Sequence, residues 1–166
     1  RTISFIQAEN RQQVIVYNVP QKQALDFINS RNYVFIGDTD LLADDFIRNF
    51  HIKPSRTLNR VEPADSSRSF IKNDNLILFS SRRIILIDTA FYFNPSKQKV
   101  SVDLLVVSKN PKLYFKQLSK SFEIKQVVFD GSVSAWRLGY WKKDCDSLHI
   151  PWHDVSEKGA FVMNLR

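Results

Sequence analysis

Apolar residues cluster first at Ile3, Phe5 and Ile6, and again from Gln13 to Tyr17, with the polar stretch Gln7 to Gln12 between them. Short β-branched and aromatic runs bounded by polar residues read as strands, so this opening predicts a hairpin. Pro20, which can occupy the first turn of a helix, precedes Ala24, Leu25, Phe27 and Ile28. Their spacing predicts a short helix, broken at Asn29–Asn32. Tyr33 to Ile36 returns as strand. Asp38, Thr39 and Asp40 then supply candidate caps for a helix in which Leu42, Phe46 and Phe50 recur every fourth residue, with Pro54 as its stop. From Lys53 to Ser69 there are two Pro, four Ser and four Arg or Lys without periodicity, which reads as a long irregular insert.

In the second half, Leu76 to Phe79 and Ile84 to Asp88 flank Ser80–Arg83, the pattern of a hairpin, and Val102 to Val107 follows as a strand apolar enough to be buried on both faces. Asn110 and Pro111 are placed to open a helix through Phe122, with Phe115, Leu118 and Phe122 on one face. Lys125 to Phe129 reads as strand. Gly131 and Ser132 lead into a helix expected to turn Trp136, Tyr140, Trp141, Cys145 and Leu148 inward, and Ala160 to Leu165 closes the chain as a strand. Hairpins mixed with βαβ units predict an α/β fold, a mixed-sheet sandwich with helices on the outer faces. Its expected core includes Trp136, Trp141, Phe115, Leu118, Leu105, Val107, Ile85 and Ile87.

With 166 residues, 43% of them hydrophobic, the chain has the size and apolar content of one ordered domain. Its longest apolar runs, such as Ile84–Ile87 and Leu104–Val107, are far short of the roughly 20 residues that span a bilayer. A soluble domain is expected. Because Arg1 is followed at once by core-like residues, the chain reads as a piece of a longer protein. Cys145, the only cysteine, leaves no internal disulfide.

Lys plus Arg number 24 against 17 Asp plus Glu, a formal net charge of +7, which favours anionic partners. The cations that can reach a DNA backbone without loss of core packing are Lys53, Arg56 and Arg60 in the irregular insert, and Arg82 and Arg83 at the second hairpin. Lys109, Lys112 and Lys116, at and beyond the end of the buried strand, complete the set. Such contacts predict weak, sequence-independent binding.

Catalytic chemistry finds little support. Zinc hydrolases need several His and carboxylates closing on one point, and only His51, His149 and His153 are present. Cys145, His149, His153 and Asp154 form the best metal candidate, but Pro151 opposes a helix and an extended chain separates the two histidines by about 13 Å. A core cysteine with surface histidines is the favoured reading. A nuclease would have to draw an unfamiliar ligand set from Asp38, Asp88, Asp130, His149 and His153. No G-x-G-x-x-G, P-loop or G-x-S-x-G occurs, so no nucleotide cofactor is expected.

The stretches Trp141–His149 and Glu157–Leu165, with Arg11–Pro20, His51–Arg56 and Ser108–Tyr114 upstream, resemble the end of ComEC-type competence proteins, the polytopic DNA-uptake channels. Many of these end in a metallo-β-lactamase-like domain, an αββα sandwich proposed to act as a nuclease on the strand that is not imported. The resemblance implies that residues 1–166 form a single, abbreviated and degenerate domain of that kind. Where the family carries a strand ending in a metal-binding His, this chain has Ser108, Lys109 and Asn110. Where it carries a His-x-His-x-Asp-His signature, Ile52–Val61 has neither His nor Asp. The resemblance therefore implies a non-catalytic, metal-free domain of an inner-membrane protein in natural transformation. Its implied partners are DNA and the membrane-spanning portion of the same polypeptide, and the face of the membrane stays open. A metal-dependent nuclease and a pure protein-docking module are the alternatives.

Overall fold

A computed structural model of the chain describes residues 11–43, 52, 62–63, 69–94 and 97–165. The predicted strand around Ile3–Ile6 and the helical positions Phe46 and Phe50 lie outside the described residues.

The first sheet is built from β1 (Gln12–Val16), β2 (Ala24–Asn29), β3 (Asn32–Gly37), β4 (Glu62–Pro63) and the final strand β13 (Phe161–Asn164), in the order β13-β1-β2-β3-β4. Its pairings are antiparallel except β3 with β4. The segment Ala24–Asn29, expected as a helix, is a central strand. Leu25 and Phe27 face one layer, Ala24 and Ile28 the other, and both faces are buried. A strand covered on two sides needs no polar alternation, so its apolar run imitated helical spacing. Asn29–Asn32 is the hairpin turn into β3, with Ser30 at φ 58°.

The second sheet has six strands in the order β12-β11-β9-β7-β6-β5. They are β5 (Phe70–Asn73), β6 (Leu76–Phe79), β7 (Arg82–Ile87), β9 (Leu104–Val107), β11 (Val127–Phe129) and β12 (Trp152–Asp154). The four from β12 to β7 are parallel, while β6 and β5 add antiparallel. The predicted strand Val102–Val107 is divided at Asp103. Val100–Val102 forms β8, which pairs in a separate two-stranded sheet with β10 (Phe122–Ile124). Asp103 causes the break by exchanging two bonds with one residue: its N–H donates to the Arg83 carbonyl at 2.9 Å, and its Oδ2 accepts from the Arg83 N–H at 2.9 Å.

Helices lie on both outer faces, covering each in part. On the first sheet, α1 (Asp40–Ala43) supplies Leu41, which with Ile52 packs on Ile15, Tyr17, Ala24 and Ile28. On the second lie α2 (Phe115–Ser121) and α3 (Ala135–Ser147), while α4 (Val155–Lys158) joins β12 to β13. The layer order is helix, sheet, sheet, helix, so the α/β mixed-sheet sandwich read from the sequence is what the chain forms. Between the sheets Phe27 meets Phe70 at 5.0 Å and Phe79 at 5.5 Å. A fully buried side chain of this size contributes about 2–3 kcal/mol. Between the second sheet and its helices, Trp141 stacks on Phe129 at 6.0 Å with Phe115 edge-on at 6.5 Å.

Two helix expectations need correction. The helix expected from Asn110 starts only at Phe115, because the preceding segment is occupied with α3. Asn110 accepts from the Ser134 N–H at 3.0 Å, and the Pro111 carbonyl accepts from Arg137 at 2.9 Å. Trp136, expected in the core, is 64% exposed and Tyr140 is 66% exposed. Leu138, Trp141 and Cys145 form the buried face of α3. At 100° per residue Trp136 lies about 140° around the helix from Trp141, too far to share that face. Phe115, Leu118, Leu105, Val107, Ile85, Ile87 and Trp141 are buried as expected.

Candidate functional site

Four parallel strands aim their carboxyl ends at one edge of the second sheet, where α/β folds commonly bind ligands. There β7 is followed by Asp88, β9 by Ser108 and Lys109, and β11 by Asp130, Gly131 and Ser132, while β12 ends in Asp154. Asp130 is buried and takes hydrogen bonds from the hydroxyls of Ser108 and Ser132 and from the Ser132 N–H at 2.9 Å. Burial pushes its carboxyl up from 3.8 to about 6, against the pull of those three donors, with the Asp38 charge adding to the rise.

The other described carboxylates on this edge, Asp88, Asp38 and Asp154, are also engaged. Asp88 accepts from the Gln23 side chain at 3.3 Å, and Asp38 accepts from the Gln23 N–H at 2.8 Å while lying 3.7 Å from Lys109. Burial works to raise Asp154, but Lys142 at 2.7 Å and the Ser156 donors outweigh it and hold the carboxyl below its ordinary range. The β1–β2 connection closes over the edge. The Gln21 N–H donates to the Gly131 carbonyl at 2.8 Å, and a Cβ on Gly131 would lie 2.2 Å from the Val19 carbonyl oxygen.

These residues do not fit a catalytic metal. Among the described residues no three His, Cys, Asp or Glu gather into a metal-holding group. Asp130 keeps both oxygens on serine donors, and the Ser108 hydroxyl is itself spent on that carboxylate. His149 is exposed in the turn after α3, at the opposite edge, with φ 56°. His153 points its Nε2–H at the Gly159 carbonyl, 2.8 Å away, and its ring rests on Phe161. Cys145 is wholly buried, and burial pushes its thiol up to about 12, which leaves it without nucleophilic thiolate. The candidate set Cys145, His149, His153 and Asp154 is therefore dispersed.

The outer face of α3 is chemically different. Trp136 and Tyr140 stand one turn apart with ring centroids 6.2 Å apart, and the Arg137 guanidinium lies 4.9 Å from the Trp136 ring. The Arg137 Nε is buried without a hydrogen-bond partner. Lys143 is exposed on the same side of the helix, and Lys112 and Tyr114 are exposed on the segment that runs alongside it. Sequence reasoning missed this pair because Trp and Tyr at helical spacing ordinarily mark a buried face. The signal that could have found it is the arc from Trp136 to Leu148, too wide for one face.

A family model described as the ComEC C-terminal domain matches residues 14–165. The chain belongs to the ComEC C-terminal domain family. Membership places it in competence DNA uptake and in a membrane protein. None of the described helices is long and apolar enough to cross a membrane. No curated protein and no solved structure matches the chain, so the metallo-β-lactamase likeness has no solved structure behind it.

In this ComEC C-terminal domain the cations singled out from the sequence do not form one patch. Lys53, Arg56 and Arg60 lie outside the described residues. Arg82 and Arg83 are exposed at the amino end of β7, whereas Lys109 follows the carboxyl end of β9, its neighbour in parallel. The two groups thus occupy opposite edges of the sheet. Lys112 and Lys116 are exposed beside and on α2, next to α3.

Proposed function

We propose that the ComEC C-terminal domain serves DNA uptake without catalysing a reaction, through weak, sequence-independent contact with the DNA strand. The observation that carries this reading is the exposed Trp136–Tyr140 pair flanked by Arg137, Lys143 and Lys112. Aromatic rings on an open surface accept any base by stacking, and adjacent cations track the phosphates. The net charge of +7 supports the same partner. The engaged carboxylates at the carboxyl edge, and histidines that do not converge on it, favour a role other than hydrolysis.

Fluorescence anisotropy of a labelled oligothymidylate tests the proposal. Binding is expected to weaken linearly on a log–log salt plot, with a slope of about −0.7 per neutralised phosphate. W136A and Y140A are each expected to weaken binding about fivefold or more, as stacking contributes ~1–3 kcal/mol per base. Affinity unchanged in the double variant, or no binding at low salt, refutes the contact. Degradation of DNA on addition of zinc or manganese, abolished in D130N, would return the nuclease reading.

A further inference from the structure

Among the described residues, the helices on the second sheet cover β9 and β11 and leave the outer face of β6 and β5 exposed. Ile71 and Leu78 are register partners there, and both are exposed with Leu76. Beside them runs the segment after β7, where Tyr92 is 89% exposed, and then the exposed Val100 of β8. Five large apolar side chains thus form one continuous surface, which is more than the scattered exposure ordinary for a soluble face.

That surface leads into an apolar slot of about 270 Å³, lined by Phe91, Phe93, Phe122, Val102, Ile85 and, at its polar end, Arg83. Phe91 and Phe93 stack at 5.4 Å, with Phe122 edge-on to Phe93 at 5.3 Å. Arg83 also lines a second cleft, of about 660 Å³ and of opposite character, with Arg82, Lys125, Ser80, Ser81 and Ser101 around it. In that cleft Asp103 is already engaged by Arg82 at 3.6 Å and Lys125 at 3.4 Å. The Arg83 guanidinium has no ion pair among the described residues, and the Ser80 hydroxyl is buried without a hydrogen-bond partner. An apolar slot and a cationic, hydroxyl-rich cleft therefore meet at one unpaired arginine.

A ligand that matches both halves is amphiphilic and anionic. We infer that this face docks on an anionic lipid bilayer, with headgroup phosphate at Arg83 and the neighbouring Arg82, Lys125 and Ser81, and with Tyr92, Ile71, Leu76 and Leu78 resting among the acyl-chain ends. The rim charge agrees with that occupant. Lys72, Arg83 and Lys120 line the clefts around the apolar surface and Lys99 precedes Val100 in the chain, against Asp74 and Asp88, with Glu123 next to Phe122. Each cation close to an anionic membrane contributes about 1 kcal/mol, and a tyrosine at the rim suits the headgroup layer. The docking surface is separate from the α3 face and does not depend on the DNA reading.

Co-sedimentation of the 166-residue chain with phosphatidylcholine vesicles, with and without phosphatidylglycerol, tests the assignment. Binding is expected only when phosphatidylglycerol is present, and to fall with salt. R83Q is expected to lower the partition coefficient about fivefold. L78S together with Y92S, two exposed positions, should lower it further while leaving the urea midpoint and oligothymidylate affinity unchanged. No binding to anionic vesicles overturns the inference, as does binding that ignores L78S/Y92S, which would assign the effect to surface charge alone. Self-association on size-exclusion chromatography that L78S/Y92S abolishes would give the face to a second copy of the chain instead. Loss of vesicle binding with oligothymidylate binding intact, or the reverse, separates this inference from the DNA contact.

Discussion

Asp130 makes folding stability respond to pH in a direction opposite to most carboxylates, and D130N isolates the effect. The side chain is 1% exposed, and its carboxyl is raised from 3.8 to about 6. The folded protein therefore keeps a proton that the unfolded chain releases between those values. Stability from this group is fully present below about pH 4 and is lost as pH rises through about 6. Two units at ~1.4 kcal/mol each give about 3 kcal/mol. Asp40, Asp103 and Asp154 are held below their ordinary range. Their stabilisation is lost only as pH falls from about 4 downward, outside the window. Asn preserves the shape, and its Oδ1 still accepts from a serine hydroxyl, but it does not titrate. Urea unfolding from pH 4 to 7.5 should show the difference between wild type and D130N changing by about 3 kcal/mol across the window, with D130N gaining on wild type as pH rises. S108A, which removes one donor that favours the charged form, should move the midpoint of that change upward. Parallel curves for wild type and D130N would refute the reasoning.

Trp141→Ala removes the ring that stacks on Phe129 and should cost about 3–5 kcal/mol in guanidinium unfolding, whereas a loss below about 1 kcal/mol would contradict the packing described. Lys142→Ala leaves Asp154 buried without its ammonium and should cost about 3 kcal/mol. Glu157→Gln, which removes only the exposed partner of the same lysine, should cost less than about 1 kcal/mol. Glycine substitutions should diverge in thermal melts. Gly139→Ala, in an open helix position, is expected to stabilise by up to about 1 kcal/mol, and Gly131→Ala to destabilise by about 1–3 kcal/mol through collision with Val19.

Legible in the sequence were the α/β class, apolar strands at Ile84–Asp88 and within Val102–Val107, the hairpin at Ser80–Arg83 and the family, whereas the parallel pairing of the two strands came from the fold. Each rests on a continuous apolar run bounded by polar residues, on turn residues or on motif identity, which survive whatever packs around them. The segment Ala24–Asn29 escaped that reading because burial on both faces erased the alternation that would have marked a strand. β5 and β12 are short edge strands, β5 in a hairpin with the next strand and β12 paired with β11 about 25 residues earlier, and four or three residues carry too little periodicity to declare themselves. The candidate sites were decided by tertiary structure for the same reason. Lysines and arginines look alike in the sequence whichever edge of the sheet they occupy, and only strand order separates Arg82 and Arg83 from Lys109. Trp136 and Trp141 are likewise five residues apart on one helix, yet one stacks in the core and the other stands in solvent. Which face of α3 meets the sheet is fixed by the bonds from Ser134, Arg137 and Trp141 to residues 110–113, contacts made across more than 20 residues of chain.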